Sequence, residues 1–546
     1  ASLGASRHVI SRGVRVLRGA VSTCLLPCAR ACAATAAVAA TVATMQVPEV
    51  LSPVLGVATA AMESFVSWCQ EHEWIASKSL FLVTPGEGLD AKALELADTI
   101  QLDAGTMKYV LLLLAAYPLA AVFARLPNAA AKHLFSTFLG VWIMQFVFYG
   151  QWIHSFISSA ATYLMVLTLP NRHMPHVVFV FVLGYICLSH IYRAYVDYMG
   201  WSLDFTGPQM VLTIKLSSFA YNVWDGRKWA EIEKDTGDKR KDRVLKARRD
   251  YAIRSMPNPL EFFGFIYCFS SILAGPAFEY KEYDNATSGK AYEKDGKPHP
   301  MPSNWAAALS KFGSGMLCLT LFQVGSGYFP LTGMRSSAVA GMAIPKRVMN
   351  AWITLFFVRM KYFFAWKTAD GASVLGGFGF QGYGPDGQVA GWDGVSNIDI
   401  MTFETSCNVA TNTRAWNKRT QGWLERYVYM RTGNSLTATY FVSAFWHGFY
   451  PGYYLFFMSL PMITTAAREG KKKISPYMPQ EGAAGMAYHG LCVFLVTLTV
   501  NYLVIPFQLL GLTESLDVWG TFSFGIHALV VGLYLVCQMI PTKKVQ

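Results

Sequence analysis

His447 lies in the run Ser443-Ala-Phe-Trp-His-Gly-Phe-Tyr-Pro-Gly-Tyr-Tyr454, inside sequence that otherwise has the composition of membrane-buried helix. An ionisable side chain placed in lipid costs at least a few kcal/mol, so an intramembrane histidine is a functional candidate by default. Imidazole has an ordinary pKa of about 6.5 and exchanges protons near neutrality. Thirty residues earlier, the run Arg414-Ala-Trp-Asn-Lys-Arg-Thr-Gln-Gly-Trp423 carries the carboxamide of Asn417. The pair points to chemistry performed inside a bilayer.

The elements that must position these groups are membrane helices. The chain is 53% hydrophobic, 14% aromatic and only 15% charged, with a positive mean hydropathy. Ordinary soluble domains are about a quarter charged. Apolar segments near the roughly 20 residues that cross a bilayer recur along 546 residues, enough for about ten spans. The net charge of +12 does not mark a nucleic-acid binder, because Lys and Arg gather in loops between spans, as the positive-inside rule requires. The ten cysteines form no Cys-x-x-Cys pair, and Cys187, Cys268, Cys318 and Cys492 stand singly in apolar stretches. They read as small buried hydrophobes, and neither a disulfide framework nor a zinc site is expected.

Three regions follow from this reading: a basic, Ala-rich extension over 1–48, one transmembrane domain over 49–540, and a short cytosolic tail over 541–546. In the extension, Arg7, Arg12, Arg15, Arg18 and Arg30 all precede the first acidic residue, Glu49. That pattern suits an organelle transit peptide, and it equally suits a disordered extension ahead of a start at Met45. Cys24, Cys28 and Cys32 at four-residue spacing read as incidental in such a tail. Lys543-Lys544-Val545-Gln546 resembles the dilysine retrieval signal of endoplasmic-reticulum membrane proteins. The tail favours the endoplasmic reticulum, with a mitochondrial or plastid membrane as the alternative if the leader is a genuine transit peptide.

Spans are expected over Tyr109–Arg125, Leu134–Gly150, Ile153–Leu169, Val177–Tyr195, Phe205–Trp224, Trp305–Leu331, Val348–Trp366, Leu436–Trp446, His447–Met462, Met486–Leu510 and Thr521–Ile540. Lys215 falls inside the fifth, where it would snorkel or line a polar cavity. The basic loop Asp225–Arg254 is assigned to the cytosol. Leu260–Phe278 contains Gly264, Gly275 and Pro276 and reads as a short, broken or re-entrant helix. Thr368–Asn412 is polar and Gly-rich, long enough to be a functional loop. Within it, Gly377-Phe-Gly379-Phe-Gln-Gly382 matches the dinucleotide fingerprint, but a membrane helix precedes it where the fingerprint needs a strand, so a glycine-rich turn is expected.

Asn417 opens a segment in which Trp416, Thr420, Trp423, Tyr427 and Met430 recur on one helical face. Taken alone, this is an interfacial helix with aromatics at headgroup depth. The isolated histidines His133, His154, His190 and His527 are expected to be satisfied by neighbouring groups.

Residues from about 205 to 454 resemble the membrane-bound O-acyltransferase family, in its lysophospholipid acyltransferase branch. The resemblance rests on Asp204 to Leu216, on Phe262 to Tyr280 with Gly275-Pro276, on Trp392-Asp393-Gly394-Val-Ser-Asn-Ile-Asp-Ile400, and on Trp416-Asn417 followed by Trp446-His447-Gly448 and Pro451-Gly452-Tyr453-Tyr454. It implies an all-α polytopic membrane protein, a bundle of about 10–11 transmembrane helices enclosing a reaction chamber, with short re-entrant or interfacial helices.

It also implies acyl transfer from acyl-CoA to the free hydroxyl of a lysophospholipid. His447 would act as general base, and Asn417 would either stabilise the oxyanion or orient the reactants. Lys418, Arg426 and Arg431 would meet the CoA phosphates, and Trp416, Trp446, Tyr450 and Tyr453 would line the substrate. No cofactor is expected beyond acyl-CoA as co-substrate; the partners are the lysophospholipid and membrane lipids, with no nucleic acid. The alternatives are an inactive structural subunit with the same fold, or transfer to diacylglycerol, a sterol or a protein.

Overall fold

The apolar runs form helices that a computed structural model describes over residues 87–540, apart from 101, 201 and 202. The leader 1–48 with Cys24, Cys28 and Cys32, and the tail 541–546 with Lys543 and Lys544, lie outside the described residues. Among those described there is no strand, and only two isolated bridges, at Lys294–Lys297 and Tyr383–Val389.

The first group comprises α1 (Glu87–Ile100), α2 (Ala104–Ala124), α3 (Ala129–Phe148), α4 (Trp152–Thr168), α5 (Met174–Val196) and α6 (Thr206–Arg227). Two short polar helices follow, α7 (Trp229–Ile232) and α8 (Lys239–Tyr251), then α9 (Pro259–Ile266) and α10 (Tyr280–Ser288). Next come α11 (Trp305–Tyr328), α12 (Ser337–Ala340) and the 32-residue α13 (Ile344–Leu375). Short helices α14 (Ile400–Thr405), α15 (Val409–Ala415) and α16 (Lys418–Trp423) lead to α17 (Leu436–His447), α18 (Pro451–Lys473), α19 (Gly482–Leu509), α20 (Leu512–Thr521) and α21 (Gly525–Met539).

By length and apolar composition five helices qualify as spans: Ala104–Ala124, Ala129–Thr168, Met174–Val196, Trp305–Arg335 and Gly482–Leu509. A sixth is formed if α20 and α21, bent by 71°, count as one. The run Ala129–Thr168 is 40 residues long, twice what one crossing needs, and it breaks at Tyr149, whose φ is 51°. The number that qualifies is smaller than ten or eleven because α6, α13 and α18 are long enough but too rich in polar and charged residues.

Two buried cations of these helices, Arg359 and Lys215, are paired within the protein. Arg359 on α13 donates through Nε and Nη2 to both carboxylate oxygens of Glu404, at 2.9 and 3.0 Å, and through Nη1 to Asn501 Oδ1 at 2.6 Å. Lys215 neither snorkels nor lines an open cavity. Fully buried on α6, its ammonium donates to the Phe265 carbonyl and to Ser271 Oγ, both at 2.9 Å, with the Phe265 and Phe278 rings within 5 Å. Phe265 belongs to the last turn of α9, where helix carbonyls lack intrahelical donors. The lysine therefore caps the broken helix foreseen over Leu260–Phe278.

The polar stretch from Thr368 begins as helix, because α13 continues to Leu375. Thr368 and Asp370 are buried, and a Cβ on Gly371 would come within 3 Å of Tyr117 Oη and the Ala308 carbonyl. Their polarity reflects tight helix contact instead of a loop. The loop proper starts at Gly376, and Gly377, Gly379 and Gly382 all have positive φ, so the fingerprint match is a glycine-rich turn.

Lys215→Met should lower stability by about 1–3 kcal/mol, the cost of removing a charged donor from the Phe265 carbonyl and Ser271. Thermal unfolding in detergent measures it, and an unchanged midpoint would mean that other donors reach the Phe265 carbonyl.

Candidate active site

His447 is the last residue of α17, and the break that follows is fixed by Gly448. Its φ of 120° and ψ of −162° suit a residue without Cβ, and an added Cβ would lie 3.2 Å from the His190 ring. Pro451 then starts α18 with a preset φ, and Gly452 lets that helix approach α19 so closely that a Cβ would sit 2.0 Å from the Pro506 carbonyl.

Three hydrogen bonds fix this turn. His190 Nε2 on α5 donates to the Trp446 carbonyl at 3.0 Å. The Trp446 indole donates to the Met210 carbonyl on α6 at 3.0 Å, and the Met199 amide donates to Tyr450 Oη at 2.9 Å. Trp446 and Tyr450 therefore hold the frame.

Around the His447 ring stand Trp446, Tyr453, Phe457 and Phe507, with centroids at 4.7, 5.5, 5.2 and 5.0 Å. Its nitrogens have no hydrogen-bond partner among the described residues. The other partly or fully buried histidines are all engaged. His133 bonds Tyr283 Oη at 3.0 Å, His154 bonds Tyr185 Oη at 2.9 Å, and His527 bonds Tyr502 Oη at 2.9 Å, while His190 holds the Trp446 carbonyl. The satisfied state expected for these four holds, mostly with tyrosine hydroxyls as partners.

Asn417 occupies the break between α15 and α16 with φ 45° and ψ 52°. Among residues with a Cβ, asparagine tolerates this left-handed region best. The position is clamped from both sides. The Asp399 amide donates to the Ala415 carbonyl at 3.0 Å, before it; after it, the Lys418 amide donates to the Asn397 carbonyl at 2.7 Å and the Arg419 amide to Asn397 Oδ1 at 3.2 Å. The Asn417 carboxamide itself has no bonding partner among the described residues.

The two runs abut through Trp423 and Trp446, whose centroids lie 6.2 Å apart, while no hydrogen bond joins Asn417 to His447. Trp416 is turned elsewhere: it packs on Tyr362, Phe363, Trp366 and Phe403 at 5.0–5.9 Å. The helical face expected from Trp416 onward is therefore interrupted, and the helix switches to π geometry over Leu424–Tyr429. Trp423 and Tyr427 are buried in protein, bonded to Ser217 Oγ at 2.9 Å and Asn222 Oδ1 at 2.7 Å. This overturns the interfacial reading of the segment.

The cations expected to meet CoA divide. Arg426 donates to buried Glu279 at 2.7 Å and Arg431 to buried Asp225 at 2.6 Å. Both are structural counter-ions, a role that spacing could not show because their partners lie more than a hundred residues away. Of the three, Lys418 alone leaves its ammonium without a bonding partner among the described residues. Nearby, burial opposes ionisation of Asp393, yet the ammonium of Lys311 bonded to it holds its carboxyl below the usual range. Burial likewise opposes ionisation of Asp399, and donation from Thr402 outweighs it.

The model of the membrane-bound O-acyltransferase family matches residues 191–503, a span containing every residue of both runs. The chain belongs to that family. It is 33% identical over 448 residues to a lysophospholipid acyltransferase of Schizosaccharomyces pombe, covering 78% of this chain and 84% of the relative. It is 32% identical to human membrane-bound glycerophospholipid O-acyltransferase 2, covering 76% and 80%. It is 30% identical to a lysophospholipid acyltransferase of Saccharomyces cerevisiae, covering 84% and 78%. Asn397 and Arg419 bond the backbone and loop beside Asn417, contacts that the sequence does not reveal. Asn397 was visible only as part of the Trp392–Ile400 stretch, and Arg419 as one charge among several.

Arg426→Gln should destabilise the protein by about 3–5 kcal/mol, because buried Glu279 loses its counter-ion. A stable variant with a selectively raised KM for acyl-CoA would instead restore Arg426 to phosphate binding.

Proposed function

We propose that this protein is an acyl-CoA-dependent lysophospholipid O-acyltransferase of the endoplasmic-reticulum membrane, with His447 as general base and Asn417 as oxyanion donor or orienting group. The observation that carries the reading is the unpartnered imidazole of His447 in an aromatic enclosure, where every other partly or fully buried histidine among the described residues is engaged. The ring is only partly buried and its nitrogens are unbonded, so a substrate hydroxyl can supply the missing partner. The relatives named as lysophospholipid acyltransferases support the acceptor class.

The chemistry needs no covalent intermediate. As the lysolipid oxygen attacks the thioester carbonyl, His447 takes the hydroxyl proton. The carbonyl oxygen gains charge that an N–H of Asn417 can meet, an interaction worth about 3–4 kcal/mol in comparable sites. Collapse forms the ester, breaks the C–S bond, and returns the proton to the departing thiolate, giving free CoA. Lys418 is the cation left to meet CoA phosphates.

Purified protein given acyl-CoA and a panel of lysophospholipids should release free CoA with at least one headgroup. Absence of turnover across the panel would favour a structural subunit or another hydroxyl acceptor. His447→Ala should leave less than about one per cent of activity in folded protein. Asn417→Ala should lower kcat by about 10²–10³, whereas a pure KM effect would move Asn417 to substrate binding.

A further inference from the structure

Beyond the two runs, a second buried polar cluster sits where α11, α13 and the loop after α13 meet. Lys311 on α11 is almost fully buried and bonds the buried carboxylate of Asp370 on α13 at 2.9 Å. Its ammonium also bonds Asp393, whose side chain is 63% exposed. One lysine thus ties a rigid helix pair to a loop through two carboxylates.

That loop is the one that shapes Asn417. Immediately after Asp393, the Gly394 carbonyl accepts from Arg419 Nη1 at 3.0 Å. Asn397 and Asp399 then make the three bonds that flank Asn417, to the amides of Lys418 and Arg419 and to the Ala415 carbonyl. Arg419 is itself anchored, donating to Glu282 Oε1 at 3.1 Å and to the Ala277 carbonyl at 3.3 Å. Because the Asn417 carboxamide has no partner of its own, its aim depends on the backbone, and the backbone depends on residues 394–399.

We infer that Lys311, braced by Asp370 and latched to Asp393, is a positioning residue for the transfer reaction, acting on Asn417 through the 394–399 segment. This rests on the reading of Asn417 given above. The latch touches neither substrate. Its role is to keep a left-handed residue and its carboxamide in register, and a displacement near 1 Å at such a group costs up to about a hundredfold in rate. The loop has further ties, the Asp393 amide to Gln381 Oε1 at 3.1 Å and the Gly394 amide to the Gly379 carbonyl at 2.9 Å. Loss of the latch alone should therefore cost less than that ceiling.

The test is a set of mutant cycles in the full-length protein, with acyl-CoA and the preferred lysophospholipid. Lys311→Met and Asp393→Asn should each lower kcat about tenfold while both KM values stay within about twofold, and Lys311→Arg should recover most of the loss. In the Asn417→Ala background the same two substitutions should cost less than about twofold, since groups acting as one unit are not additive. Equal fold-losses in both backgrounds, or a loss carried by KM, would overturn the latch while leaving Asn417 in place. An undiminished kcat for Asn417→Ala alone would instead overturn the reading beneath it. Should Lys311→Met fail to fold, Asp393→Asn decides the matter, because it changes only an exposed, isosteric end of the contact.

Discussion

Charged side chains inside a helical bundle in hydrocarbon have no bulk water to satisfy them, so leaving one unpaired within the protein is costly. That cost orders much of the interior. Lys215 is spent on the carbonyls that end α9, Arg359 on Glu404 and Asn501, and Arg426 and Arg431 on Glu279 and Asp225. Four buried or partly buried histidines are bonded, three of them to tyrosine hydroxyls. The imidazole of His447 and the carboxamide of Asn417, by contrast, stand unbonded among the described residues, on two runs that touch.

Both groups sit where a helix stops. His447 ends α17 because Gly448 adopts a conformation suited to glycine and Pro451 begins the next helix. Asn417 interrupts α15 and α16 by taking a left-handed conformation itself. A side chain at such a break can leave the helix surface, and its direction is set by neighbours instead of by the regular helical path. The neighbours here are rigid: His190, Met199 and Met210 hold the first break, and Asn397 and Asp399 hold the second. The same arrangement explains why the Trp392–Ile400 stretch belongs with these two runs: Asn397 and Asp399 bond the backbone on either side of Asn417.

Much of the architecture was legible in the chain. Most of the long apolar runs became helices within a few residues of their expected limits, the interruption near Gly275 and Pro276 is real, and the glycine fingerprint proved to be a turn. Membership of the acyltransferase family followed from motifs that the family model covers. The misreadings share one cause. Thr368 and Asp370 looked like loop, the Trp416–Met430 face looked interfacial, and Arg426 and Arg431 looked available for CoA. In each case a polar or amphipathic residue was matched by a partner on a distant segment that local periodicity does not encode.

The sequence by itself determined that this is a helical membrane protein of the O-acyltransferase family, because apolar length and motif residues are local properties of the chain. It also singled out His447 and Asn417 by type and frame. Only the tertiary structure decided which histidines are satisfied, which arginines are counter-ions, and how the loop from Asp393 to Asp399 braces Asn417. Those outcomes depend on hydrogen bonds and ion pairs between residues up to about 250 positions apart, and such pairings exist only once the helices have packed.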